Sequence, residues 1–102
     1  MIRSFRHKGL EELFLNGKTR YINPLYHKKL RRQLQFLNRL GAGNTELIGL
    51  TPWQAHQLRG KNSRGQDVGG HFSFHVTANW RLVFRYDSET GDVELTDFID
   101  YH

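Results

Sequence analysis

The chain has 102 residues, of which 37% are hydrophobic and 13% aromatic, with a net charge of +5 and no cysteine. A chain this short supports one modest core, so residues 1–102 are expected to form a single domain, and the apolar content excludes a disordered tail. The composition also excludes disulfides, thiolate metal sites and a cysteine nucleophile, and no apolar run reaches the roughly 18–20 residues of a membrane-spanning helix.

Residues 2–5 alternate apolar and polar and suit a short strand. Residues 7–16 place Leu10, Leu13 and Phe14 at helical spacing, and Gly17 follows as a stop, which predicts a first helix. Asn23-Pro24 supplies a capping oxygen and a proline preset for a first turn, so a longer helix is expected to about Leu40. Leu30, Leu34 and Leu37 form its apolar face, while Lys28, Lys29, Arg31, Arg32 and Arg39 occupy mostly the remaining surface. Gly41 to Asn44 ends it, and residues 45–52 read as a connector rather than a third full helix.

From Trp53 onward the period becomes two. Phe72, Phe74 and Val76, then Trp80, Leu82, Phe84 and Tyr86, alternate with polar residues on either side of Ala78-Asn79, which predicts a hairpin. Its aromatic series faces the helices, so Ser73, His75, Arg81 and Arg85 are expected on the opposite face. A turn over residues 87–92 leads to a last strand. Residues 61–70, with three glycines, read as a mobile loop between two strands. The expected fold is α+β, with two N-terminal helices packed on one side of an antiparallel sheet.

The charge is uneven along the chain. Residues 1–40 hold ten Lys and Arg against Glu11 and Glu12, a net of +8, whereas residues 41–102 hold five against eight acids, a net of −3. A concentrated positive field is the usual footprint of a polyanion partner, because phosphate contacts release condensed counterions; a solvated charged helix face accounts for it equally well. Six histidines without ligand spacing predict no metal and no cofactor. The opening residues lack the apolar stretch of a signal peptide, so the cytoplasm is the expected compartment, with no membrane partner.

Three constellations supply groups useful for RNA transesterification: His56-Gln57-Leu58-Arg59-Gly60, Ala78-Asn79-Trp80-Arg81 and Asp100-Tyr101-His102. In that reaction a base takes the 2′-hydroxyl proton, an acid protonates the leaving oxygen, and cations stabilise the charge growing on phosphorus. Histidine suits both proton transfers near neutral pH, and the arginine fork holds two phosphoryl oxygens at once. Taken singly, each has a plain structural alternative: a strand histidine is more often packed or merely exposed, sheet-face arginines are usually solvated, and a terminal tripeptide frays.

Taken together with the opening Met1-Ile2-Arg3-Ser4-Phe5-Arg6-His7-Lys8-Gly9-Leu10, these motifs resemble, in the same order and over essentially the whole chain, HigB-type toxins of the RelE-like toxin–antitoxin superfamily. The resemblance implies a RelE-like fold, a ribosome-dependent endoribonuclease that cuts mRNA, rRNA contacts, and a HigA-like helix-turn-helix antitoxin as partner. It implies His56, Asp100, Tyr101 and His102 as the chemical residues, with Arg59 and Arg81 close to the scissile phosphate. His102 and His56 would divide the two proton transfers, Asp100 would orient an imidazole or hydroxyl, and Tyr101 would stack on a base or donate a hydrogen bond. Asn79 and the helix cations Lys28, Lys29, Arg31 and Arg32 would contact RNA, the cations without reading its sequence.

The chain departs from the family pattern at three places. Position 59 is arginine where relatives commonly carry lysine, Thr77 replaces a frequent further cation, and the loop over residues 61–70 is longer than usual. These departures keep open a second reading, a catalytically weak or inactive RNA- or ribosome-binding module of the same fold. A third is a protein interaction domain whose basic helix meets an acidic partner.

Overall fold

The computed structural model describes residues 1–61, 65 and 70–100. The expectation of a mobile loop over residues 61–70 lies largely outside them, as do Tyr101 and His102. Helix α1 (Lys8–Asn16) begins where His7 turns extended and its Nδ1 accepts the Leu10 N–H at 3.0 Å. It stops at Gly17, whose φ of 66° is the left-handed conformation that favours glycine.

The Asn23-Pro24 start signal opens a 3-10 turn (Pro24–Tyr26), capped by Asn23 Oδ1 accepting the Leu25 N–H, and α2 (His27–Asn38) follows directly. Tighter i to i+3 bonding in an opening turn is common, so the α-helix proper starts three residues later than the signal. The stretch expected to be a connector holds a short helix, α3 (Thr45–Gly49), because Ile48 is drawn completely into the core.

Strands β1 (His56–Gln57), β2 (His71–His75), β3 (Trp80–Tyr86) and β4 (Val93–Asp100) form one antiparallel sheet in the order β1-β2-β3-β4. The strand expected over residues 2–5 is reduced to two parallel bridges, Ile2 to Val93 and Phe5 to Thr96. Between them Ser4 Oγ accepts the Leu95 N–H at 2.8 Å, so a side chain interrupts the backbone ladder.

Directly opposed residues share a face, so the register defines both sides of the sheet. Phe72 opposes Phe84, Phe74 opposes Leu82, Leu82 opposes Phe98 and Tyr86 opposes Val93. This side meets Leu10 and Leu13 of α1 and Leu30, Leu34 and Leu37 of α2, which makes the helix-on-sheet arrangement the α+β fold expected from the alternation. Phe74 and Phe84 are wholly buried with centroids 4.9 Å apart, and burying each contributes about 1.5–3 kcal/mol.

A β-bulge then changes the phase of β4. Arg85 opposes Glu94 but Val83 opposes Asp97, so β4 holds one extra residue, and Leu95 takes a φ of 55°. Because side chains alternate strictly, this insertion brings both Val93 and Phe98 to the core and turns Asp97 and Ile99 outward.

The end of β3 is tied to the loop after α2. Tyr86 Oη donates to the Gly41 carbonyl at 2.6 Å and accepts the Asn44 N–H at 2.9 Å. Beside it, Gly91 adopts a φ of 80°, and a Cβ added there would lie 2.5 Å from the backbone of Gly41 and Ala42. Backbone cannot yield as a flexible side chain can, so Gly91→Ala should lower the unfolding free energy by about 2 kcal/mol or more. A urea melt checks this, and an unchanged midpoint would contradict the close approach.

Candidate active site

The face turned away from the helices carries two adjacent rows of side chains. His56, Ser73, Val83 and Asp97 form one row across all four strands, and His75, Arg81 and Ile99 form the next, at the end of the sheet nearest the β2–β3 turn. Asp97 is 7% exposed, and its Oδ1 accepts the Phe98 N–H at 2.9 Å.

Arg81 is held by the turn itself. Its Nη1 donates to the carbonyls of Thr77 at 2.8 Å, Trp80 at 3.0 Å and Ala78 at 3.3 Å. The Trp80 carbonyl also accepts the Val76 N–H at 3.0 Å, and by reaching it together with the Thr77 and Ala78 carbonyls one guanidinium nitrogen ties the side chain to the turn in a fixed orientation. The other guanidinium nitrogens make no hydrogen bond to a described residue, which leaves a donor pair of the kind that binds phosphoryl oxygens. Asn79 is half-buried in the same turn.

His75 opposes Arg81 directly. Its backbone N–H donates to the Trp53 carbonyl at 2.8 Å and its carbonyl accepts from Gln33 Nε2 at 3.0 Å. Both backbone groups therefore face away from β3, which makes His75 and Arg81 a non-hydrogen-bonded pair, the closer type, with Cα atoms about 4.5 Å apart. A second cation arrives from α2, where Lys29 Nζ donates to the Val76 carbonyl at 3.0 Å. Lys29 is half-buried and does not share the free exposure of Lys28, Arg31 and Arg32.

Partial burial pushes the His75 imidazole below the ordinary histidine value of 6.5, and the positive charges of Arg81 and Lys29 push the same way. The ring is therefore neutral around pH 7 and able to accept a proton. His56 is exposed on β1 and stands diagonally from His75 across Ser73, which at ordinary sheet spacing puts their Cα atoms about 7–8 Å apart.

The structure thus gathers His56, His75 and Arg81 on one face with Lys29 at its edge. His75 did not stand out in the sequence because it belongs to no motif, although the alternation already placed it on the Arg81 face. Two other candidates lie apart. Leu58 N–H bonds the His71 carbonyl at 2.8 Å, so Arg59 follows toward the far end of β2. That end is four residues from His75, about 13 Å along the strand.

Asp100 reaches the correct end of the sheet but opposes Trp80, and so shares the helix-side face with Phe98. The outward neighbour of Arg81 in β4 is Ile99. Among the described residues, Lys28, Arg31, Arg32 and Arg59 are exposed and none forms an ion pair.

An NMR titration should find the His75 ring titrating below 6.5, and Lys29→Met should move it upward by removing one positive charge. Because His75 binds its proton less tightly folded than unfolded, it has no effect on stability well above pH 6.5 and destabilises the fold increasingly as pH falls below that value. A His75 resonance indifferent to Lys29→Met would contradict this electrostatic arrangement.

Comparison with known proteins gives two concordant matches. The family model described as the RelE-like toxin of type II toxin-antitoxin system HigB matches residues 3–102. The chain is also 32% identical over 105 residues to a Proteus vulgaris protein named Endoribonuclease HigB, with all of both chains covered. The chain therefore belongs to the HigB family of RelE-like toxins of type II toxin–antitoxin systems.

Proposed function

We propose that this toxin is an endoribonuclease that cleaves mRNA on the ribosome in the cytoplasm, and that a HigA-like helix-turn-helix antitoxin holds it inactive. The observation that carries the reading is Arg81, oriented by the turn carbonyls on a face that also holds imidazoles. The family and the name of the Proteus vulgaris relative support the same chemistry.

In this reading the 2′-hydroxyl attacks the neighbouring phosphorus and the 5′-oxygen departs. Arg81 binds the phosphoryl oxygens, and its fixed orientation means that little reorganisation is needed as charge develops there. His56 and His102 serve proton transfer, Asp100 orients an imidazole or a hydroxyl, and Tyr101 stacks on a base or donates a hydrogen bond. Arg59, beyond the end of β1, holds a flanking phosphate, and Asn79 contacts the RNA beside Arg81. Lys28, Arg31 and Arg32 grip rRNA backbone from the outer face of α2, and Lys29 adds positive charge at the edge of the site.

Primer extension on a translated message tests the proposal. Cleavage should need ribosomes, should fall by about 10²-fold or more with Arg81→Ala, and should vanish with His102→Ala. Unchanged cleavage in both variants would overturn the residue assignment, and salt-sensitive RNA binding without cleavage would identify a binding module instead. Replacing Lys28, Arg31 and Arg32 together by alanine should weaken ribosome binding and flatten its dependence on log salt while leaving the cleavage positions in place. A change of cleavage position would show that α2 reads sequence.

A further inference from the structure

We propose that His75 is a further catalytic residue of this site, accepting the proton of the attacking 2′-hydroxyl while the adjoining phosphate rests on Arg81. The inference rests on the endoribonuclease reading above and assigns a role to a residue outside its three motifs.

The argument is geometric first. A phosphate bound by the Arg81 nitrogens that bond no described residue brings the 2′-oxygen of the adjoining ribose to the neighbouring position on the sheet face, and His75 is the residue directly opposed to Arg81. Side chains of a non-hydrogen-bonded pair stand close, with Cβ atoms about 4.5–5.5 Å apart, so one ribose-phosphate unit bridges them. The His75 backbone is held on the edge away from β3, its N–H by the Trp53 carbonyl and its carbonyl by Gln33 of α2, which fixes the point from which the imidazole projects.

The surroundings also select the protonation state. Arg81 faces His75 from β3 and Lys29 from α2, while Gln33 of α2 and residues Trp53, Gln54 and Ala55 along the other edge of β2 carry no titratable group. Among the described residues, His56, diagonal across Ser73, is the remaining titratable group on that side. Two cations and no acid among these neighbours keep the ring unprotonated before the reaction, as a base requires, and speed its return to that state afterwards.

The step balances without a co-reactant. The O2′–P bond forms as the O2′ proton passes to His75, and the P–O5′ bond breaks with its electron pair leaving on O5′, which takes a proton from His56 or His102. The products are a 2′,3′-cyclic phosphate and a 5′-hydroxyl, and the His75 imidazolium then loses its proton to water.

Single-turnover cleavage of ribosome-bound mRNA across the pH range tests this, with His75→Ala, His75→Gln and Lys29→Met beside the unmodified chain and a urea melt for each. The expected result is a loss of about 10²–10⁴-fold for His75→Ala and His75→Gln with folding retained, and partial recovery of His75→Ala by added imidazole. The rise of the unmodified rate with pH should lie below 6.5, move upward in Lys29→Met and be absent in the His75 variants. Folded His75→Ala or His75→Gln protein that keeps the full rate and the same acidic limb would overturn the proposal while leaving the ribonuclease reading intact. No cleavage by the unmodified chain would overturn both.

Discussion

Burial of alternate hairpin residues against two helices is the constraint on which the rest of this molecule depends. Phe72, Phe74, Leu82 and Phe84 are held on one side by apolar contact with Leu30, Leu34 and Leu37, and strand periodicity then sends Ser73, His75, Arg81 and Val83 to the other. The polar face is in this sense a consequence of the core. A slip of one residue in the β2–β3 register would bury Arg81 and expose Phe84, so the energy that stabilises the fold also fixes the position of the chemistry.

Two kinds of cation serve different ends in this framework. Arg81 and Lys29 each donate to backbone carbonyls around the hairpin turn, where a positive side chain both satisfies an orphan acceptor and shapes the field around His75. Lys28, Arg31 and Arg32 form no ion pair with described acids and stand in solvent, where they act at longer range and are screened by salt. Of the cations behind the net of +8 over the first 40 residues, Lys29 is thus held by a backbone carbonyl, whereas Arg3, Lys8 and Lys18 pair with acids.

Much of this was legible in the sequence. The leucine spacing of α2, the hairpin and the sorting of Arg81 away from Phe84 all follow from period and polarity. The missing parts depend on contacts that periodicity does not encode. Ile48 turns a connector into a short helix because the core has room for it, and Ser4 interrupts a strand by bonding Leu95. The bulge at Leu95 reverses the alternation of β4, so Asp100 shares the face of Trp80 instead of that of Arg81. The family resemblance implies Arg59 beside Arg81 at one phosphate, whereas antiparallel pairing carries it toward the far end of β2. His75 lacked a motif, and its significance emerges only when its partners Arg81 and Lys29 are placed beside it.

The most direct test of this account is to locate bound RNA on the sheet. An oligoribonucleotide with 2′-O-methyl groups binds as RNA but lacks the nucleophile, so its contacts can be followed by side-chain NMR of the isotopically labelled protein. The account predicts that the ring signals of His56 and His75 and the guanidinium signal of Arg81 shift together on titration with a common affinity. Shifts confined to the exposed cations of α2, with those three signals unmoved, would contradict it.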